Sequence, residues 1–160
     1  MVTPSIRLAV DADAQHIAVM SRCLIEVGLR GWSWDPARVM RAIRHRDTCV
    51  AVAQIDNYVT GFAIAEFGDT RMHLSLLAIA AALQRNGVGR ALVDWLEQSA
   101  LTAGITDIEL ELRANNAAAK FFYQALGYEF VRAVPGYYRG EETAFKMHKA
   151  IGVRATGSVK

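Results

Sequence analysis

The sequence predicts an α/β (α+β) domain: a mixed, mostly antiparallel sheet of about seven strands, with helices on both faces and one parallel strand pair. Three observations carry this. Apolar runs at residues 49–55, 58–67 and 71–79 follow one another closely, joined by the turn signals Asp56-Asn57 and Gly68-Asp69, as in an antiparallel meander. A long amphipathic helix over residues 88–103 separates the 71–79 run from an alternating strand at 106–113, so that crossover should be right-handed and the two strands parallel. Two further strand patterns, 128–134 and 143–149, follow a short helix.

Each element has a local reason. Ile6-Arg7-Leu8-Ala9-Val10 alternates like an edge strand. Asp11 or Asp13 could cap the helix that follows, in which Ile17, Ala18, Met20 and Ser21 recur at helical spacing. Residues 23–34 continue as a less regular apolar segment closing in Gly31-Trp32-Ser33-Trp34. These tryptophans are either core packing or, as Trp32 and Trp34, a wall of an acceptor-substrate pocket, since concave sites favour aromatic linings. Asp35-Pro36 starts a helix to about residue 45, with Val39, Met40 and Ile43 on one side and Arg38, Arg41, Arg44 and Arg46 mostly on the other. In the central helix Val88, Ala91, Leu92, Trp95, Leu96, Ser99 and Ala103 form one stripe, and Gly104 stands at a left-handed cap. Asn115-Asn116 caps a helix over 117–126 that ends at Gly127, and Phe121-Phe122-Tyr123 leaves that helix little solvent face. Residues 135–140 read as a loop.

At 160 residues the chain forms one domain over 1–150, large enough to bury roughly 70% of its unfolded surface, followed by a disordered tail at 151–160. With 52% hydrophobic and 21% charged residues and a formal charge of +2, the composition is that of a soluble globular protein and does not argue for nucleic acid. Cys23 and Cys49 are isolated, and the four histidines have no ligand spacing, so no metal is expected. No signal-peptide pattern and no run approaching the roughly 20 apolar residues of a membrane span stand in the chain, and the expected location is the cytoplasm.

The stretch most informative about chemistry is Gln84-Arg85-Asn86-Gly87-Val88-Gly89. A strand, a glycine turn and a helix start make an anion site, because the first N–H groups of a helix lack internal partners and the helix dipole favours negative charge. Arg85 and Arg90 add positive charge, and two residues without a Cβ would let a phosphate approach. A P-loop would need lysine then serine or threonine after the second glycine, where Arg90-Ala91 stands; a Rossmann fingerprint would need glycine or alanine where Leu92 stands. Gln/Arg-x-x-Gly-x-Gly/Ala fits at every fixed position. A tight turn without ligand is the alternative. In the 106–113 strand Glu109 and Glu111 share one face; interior parallel strands are normally apolar on both faces, so this face either meets a cleft or carries carboxylates paired with arginines.

The 84–89 hexapeptide resembles the pyrophosphate loop of the GNAT superfamily of acetyl-CoA-dependent N-acetyltransferases. Leu110-Glu111-Leu112-Arg113-Ala114-Asn115-Asn116-Ala117-Ala118-Ala119, with Phe122-Tyr123 and Leu126-Gly127-Tyr128, looks like the second signature block of that superfamily, in the form carried by bacterial ribosomal-protein alanine N-terminal acetyltransferases. Gly136-Tyr137-Tyr138 resembles their tyrosine pair. The resemblance is strong from Leu74 onward and weak over residues 23–48. Ala80-Ala81-Ala82 replaces the usual acidic residue and proline, and Glu142-Thr143-Ala144 replaces Glu-Asp-Ala.

The resemblance implies a GNAT-like fold, acetyl-CoA as cosubstrate and no metal. It implies that the backbone of Leu77, Ala78 and Ile79 pairs with the pantetheine arm, that the amides of Gln84, Arg85, Asn86, Gly87, Val88, Gly89 and Arg90 hold the pyrophosphate, and that Asn116 bonds the pantetheine. Tyr123 would protonate the departing thiolate, Glu111 would act through water as base, and Tyr137 and Tyr138 would position the acceptor. Independently of any family, an amine attacks a thioester only when neutral. A free α-amine is roughly a tenth to a sixth neutral at pH 7, a lysine side chain only about 0.04%. The acceptor the resemblance implies is a protein or peptide α-amino terminus, of the ribosomal-protein alanine type, which a carboxylate acting through water suits; a small amine or lysine side chain, or a non-catalytic acyl-CoA-binding module, are the alternatives. Either a monomer or a homodimer fits.

Overall fold

The computed structural model describes residues 3–152. In chain order the elements are β1 (Ser5–Leu8), a 3-10 turn (Asp11–Asp13), α1 (Ala14–Met20), a π-helical turn (Ser21–Ile25), α2 (Pro36–Arg44), β2 (Thr48–Ile55), β3 (Tyr58–Phe67), β4 (Arg71–Ile79), α3 (Val88–Thr102), β5 (Asp107–Arg113), α4 (Ala117–Ala125), β6 (Glu129–Tyr138) and β7 (Glu142–Ala150). They build one seven-stranded sheet in the order β1-β2-β3-β4-β5-β7-β6. Every neighbouring pair is antiparallel except β4 and β5, which run parallel from Arg71↔Asp107 to Leu74↔Leu110. The expected sheet, meander and parallel pair are all present.

The strands of the meander are apolar on both faces because both are covered. Ala51, Ala53, Ala63 and Ala65 turn their small side chains to the face under α3, where Leu92, Val93 and Leu96 pack. Val50, Val52, Phe62 and Ile64 turn their larger ones to the face under α1 and α2, against Ile17, Ala18 and Val39. Small residues on one face let the long helix lie close, and large ones on the other fill the space beneath two short helices.

β4 changes face part-way along. Its pairing with β3 slips between Ile64↔Leu76 and Ala65↔Leu74, leaving Ser75 as the extra residue. Met72 and Leu74 therefore join the α3-side core, whereas beyond the bulge Leu76 and Ala78 join the other core and Leu77 and Ile79 pack toward α3. A bulge bends and twists the strand that carries it. Here β4 parts from β5 at this point: no β4–β5 partner follows Leu74↔Leu110, and β5 continues beside β7 alone. The edge of β4 from Ser75 to Ile79 thus faces a wedge-shaped gap.

Several expectations need correction. Asp13 does not cap α1 through its side chain. Its carboxylate instead accepts the Val10 backbone N–H at 2.8 Å and the Arg7 guanidinium at 2.9 and 3.1 Å, fastening β1 to the turn. Asp35 caps α2 as expected, through Arg38 N–H at 2.9 Å. Residues 135–138 are not a loop but the end of β6, a strand whose register with β7 slips twice and which can hold Pro135 because it lies at the sheet edge. α4 does have a solvent face: Phe121 is 71% exposed, while Phe122 and Tyr123 turn inward. Ile151 of the expected tail donates its N–H to Thr106 and packs on the core, and residues 153–160 lie outside those described.

Candidate active site

The gap between β4 and β5 opens into a cleft of about 340 Å³ roofed by the 25–38 segment and the β6–β7 hairpin. Alternation on β5 sends Ile108, Leu110 and Leu112 into the core and Glu109 and Glu111 to the opposite face. Both readings of these glutamates hold, one for each. Glu109 is ion-paired with Arg71 and, at 3.2 Å, with Lys146. Glu111 lines the cleft, with its side chain 13% exposed.

The contacts of Glu111 define the centre. Its Oε1 lies 2.5 Å from His73 Nε2 and accepts the Tyr137 hydroxyl at 3.2 Å, leaving Oε2 without a hydrogen-bond partner among the described residues. Burial by itself would push Glu111 up, but the His73 and Tyr137 hydrogen bonds and the His73 and Lys146 charges hold it below the ordinary carboxylate value. His73 is raised above the ordinary imidazole value, chiefly by its bond to Glu111 against the opposing effect of burial. Tyr137 is pushed up to about 12, first by burial and then by Glu111, and so stays a donor. Tyr138 meets Tyr137 edge-on at 4.9 Å and completes the tyrosine pair at the cleft mouth.

The roof is tied down by carboxylates and guanidinium groups that no local motif connects. Glu26, 5% exposed, accepts from the Ser33 and Trp34 backbone N–H groups, the Ser21 hydroxyl and Arg139. Burial opposes its ionisation, but the two backbone N–H groups, Ser21 and Arg139 together hold it below the usual carboxylate value. Arg113 reaches across to the carbonyls of Ile25 and Val27 while pairing with Glu142 at 2.8 Å. Trp34 lines the cleft under the Arg38 guanidinium, 3.8 Å from its ring centroid. Trp32 does not: its Nε1–H bonds Ala18 O at 3.2 Å, and its ring borders a second hollow with Arg22 and Gly31. Trp32 therefore stands outside the residues that line the cleft, with its one polar atom anchoring α1.

Beyond Ile79 the chain forms the turn into α3. Arg85 at φ 67° and Gly87 at φ 86° are both left-handed, the curvature that turns successive N–H groups into a concavity. Gln84 Nε2 closes the turn on Ile79 O at 3.0 Å. Gln84, Arg85, Asn86, Gly87 and Arg90 are exposed, and no acidic residue stands in the first turn of α3 to satisfy its amides. Gly89 has another reason to be small: a Cβ there would lie 3.1 Å from the Phe122 ring, so it serves α3–α4 packing. Asn116 caps α4 through Ala119 N–H at 3.0 Å, which occupies its oxygen and leaves its amide N–H groups free.

Tyr123 is 7% exposed, held edge-on by Phe122 at 5.0 Å and Tyr128 at 5.5 Å. Burial raises its phenol well above the ordinary value, so it is protonated at neutral pH. Cys49 is likewise pushed up, to about 11, by burial and is no thiolate nucleophile. Among the described residues no helix is long and apolar enough to cross a membrane, and no three His, Cys, Asp or Glu side chains gather as a metal site.

The sequence matches the model of the acetyltransferase (GNAT) family over residues 8–128. The chain belongs to that family. An uncharacterised N-acetyltransferase of Methanocaldococcus jannaschii is 33% identical over 102 residues, 63% of this chain and 65% of that protein. The ribosomal protein bS18 alanine N-acetyltransferase of Salmonella typhimurium is 34% identical over 95 residues, 58% of this chain and 64% of that one. The aligned stretch thus spans just under two thirds of either relative. The crystal structure of Ard1 from Thermoplasma volcanium shares the fold, with a TM-score of 0.82 over 94% of this chain and 99% of that one at 22% identity.

Proposed function

We propose that the protein is an acetyl-CoA-dependent N-acetyltransferase that moves an acetyl group to a primary amine by direct attack, with a protein or peptide α-amino terminus, of the ribosomal-protein alanine type, as acceptor. The observation that carries this reading is Glu111: an ionised carboxylate lining the cleft, with one oxygen fixed by His73 and Tyr137 and the other without a hydrogen-bond partner among the described residues. The family match and the similarity to an alanine N-acetyltransferase support the class of reaction and of acceptor.

The cosubstrate fits the features already described. Past Leu74 the outer edge of β4 has no β5 partner, so the outward-facing backbone groups of the Leu77-Ala78-Ile79 segment can pair with a pantetheine arm, as in strand addition. The amides from Gln84 to Arg90 face a pyrophosphate, with Arg85 and Arg90 adding charge. Asn116 N–H groups donate to the same arm. Acetyl-CoA supplies an activated acetyl group on a thioester; this chain orients it and manages protons. Glu111 takes a proton from the incoming amine through water, and Tyr123 donates one to the sulfur. Tyr137, Tyr138 and Trp34 border the acceptor's first residues.

A second acceptor, a small polyamine or lysine side chain, is favoured by one feature: Glu66 at the cleft is exposed and makes no ion pair among the described residues, as a second cationic group would want. The test is CoA-thiol release with peptides bearing free Ala, Ser or Met amino termini, N-blocked lysine peptides, polyamines and aminoglycosides. Turnover confined to free amino termini is the expected result. Turnover confined to small amines would overturn the acceptor, and acetyl-CoA binding without turnover on any of them would overturn the enzyme reading.

Gly87→Val tests the loop separately. A β-branched residue at φ 86° is strained, and its side chain would stand where the amides converge. Acetyl-CoA affinity by calorimetry should fall at least tenfold, about 1.4 kcal/mol. Unchanged affinity would remove the pyrophosphate reading of residues 84–90.

A further inference from the structure

Four side chains from three strands form a continuous polar chain leading out of the cleft. His73, before the β4 bulge, lies on the face shared by Glu109 and Glu111, and Ser75 is the bulged residue itself. Glu111 Oε1 is 2.5 Å from His73 Nε2, His73 Nδ1 is 3.1 Å from Ser75 Oγ, and Ser75 Oγ donates to Glu66 Oε2 at 3.2 Å. Glu66, on β3, is exposed. Each link can pass a proton: carboxylate to imidazole nitrogen, the other imidazole nitrogen to hydroxyl, hydroxyl to carboxylate, carboxylate to water.

We infer that His73 is the proton-accepting partner of Glu111 and that the His73–Ser75–Glu66 chain carries the acceptor's proton from the cleft to solvent. The inference rests on amine acetylation but not on which amine is used. The balance is as follows. The amine nitrogen bonds the thioester carbon, the C–S bond breaks with its electron pair on sulfur, and Tyr123 gives the thiolate its proton, the phenolate then regaining one from water. The new amide nitrogen loses one proton to the Glu111–His73 pair. When the amine arrives as an ammonium ion, a second proton must leave as well.

Glu111 needs such a partner. A carboxylate held below its ordinary value is a weak base alone, whereas the His73 imidazole hydrogen-bonded to it is raised above its own ordinary value and is the stronger base of the two. The pair can take up a proton only while the imidazole is neutral, so the competent form is the carboxylate with neutral His73. The groups facing His73 are Glu66 from β3, Glu109 and Glu111 from β5, Tyr137 from β6 hydrogen-bonded to Glu111, Lys146 from β7 and Arg71 from its own strand. Lys146 and Arg71 are both engaged by Glu109, and the charges of Glu111, Glu66 and Glu109 all raise the imidazole.

The experiment combines pH–rate profiles with ¹⁵N NMR of the imidazoles, the His73 signals being assigned by their loss in His73→Gln. In wild type, kcat/KM should rise with pH more steeply than the amine's ionisation alone dictates. His73→Gln should lose that extra steepness and drop roughly 10²-fold at pH 7, with the KM for acetyl-CoA unchanged. Glu66→Gln removes a charge that raises His73, so the His73 titration and the matching inflection should both move to lower pH, with a lower plateau. A His73→Gln variant slowed equally at every pH would mean a structural role and overturn the relay. So would a Glu66→Gln variant in which neither the NMR titration nor the plateau moves. The NMR arm needs no acceptor: a His73 that titrates at the ordinary imidazole value overturns the relay even if every amine fails, whereas failure of every amine with a raised, Glu66-sensitive His73 overturns the enzyme reading instead.

Discussion

Tyr123→Phe is expected to lower kcat by ~10²–10³-fold while leaving acetyl-CoA affinity and thermal stability near wild type. The reason is the environment of one oxygen. The ring is fixed on both sides by Phe122 and Tyr128, and phenylalanine preserves those contacts. The hydroxyl has no hydrogen-bond partner among the described residues, yet no fully enclosed polar side-chain atom among them lacks one. Its oxygen is therefore not completely enclosed. An unpartnered, protonated phenol suits a donor to a leaving thiolate. Stopped-flow or steady-state thiol release, with calorimetry of acetyl-CoA binding, reads the two effects apart. An unchanged kcat would remove Tyr123 from the chemistry, and a large fall in affinity would make it a binding residue.

Glu111→Gln should cost a comparable ~10²–10⁴-fold in kcat/KM for the amine, because the amide cannot accept a proton. It should also change stability in a pH-dependent way whose sign follows from the two shifts. Glu111 is depressed below 4.5, so its contribution is present above that value and is lost as pH falls through its folded pKa. His73 is raised above 6.5, so its contribution is complete below that value and is lost as pH rises through its folded pKa. The pair thus stabilises the fold most between about 4.5 and 6.5. The gap in Tm between wild type and Glu111→Gln should be widest there and narrow on either side. A gap independent of pH would show that the two groups do not share a charge interaction.

Much of this molecule was decided locally. The capping Asp35 and Asn116, the left-handed Gly87, Gly104 and Gly127, and the two-residue periodicity of 107–113 act within a few residues of chain, and each element they predict is present. The same holds for the 84–90 turn, whose glycine spacing is a backbone requirement, although Gly89 turned out to answer to Phe122. Where the local signal was weaker than a long-range partner, the reading failed. Residues 135–138 carry proline and glycine and read as a loop, but β6 runs on through a register slip to pair Tyr138 with Glu142 of β7. Trp32 and Trp34 are two residues apart and chemically alike. Which one meets the cleft depends on Ala18 offering a carbonyl to the first and Arg38 stacking on the second.

The site itself divides the same way. Glu111, Tyr123, Tyr137 and Tyr138 stand in contiguous motifs and could be named in advance. His73, Ser75, Glu66 and Glu26 could not, because nothing near them in the chain marks them. His73 meets Glu111 only through the register of two parallel strands separated by α3, and Ser75 projects as it does only because β4 bulges against β3. Sequence by itself determined the elements, their order and the motif residues, because those depend on backbone preferences and periodicities a few residues long. Tertiary structure alone decided which side chains share a proton, because a hydrogen bond of 2.5 Å between residues 38 apart is a property of sheet register and not of any segment.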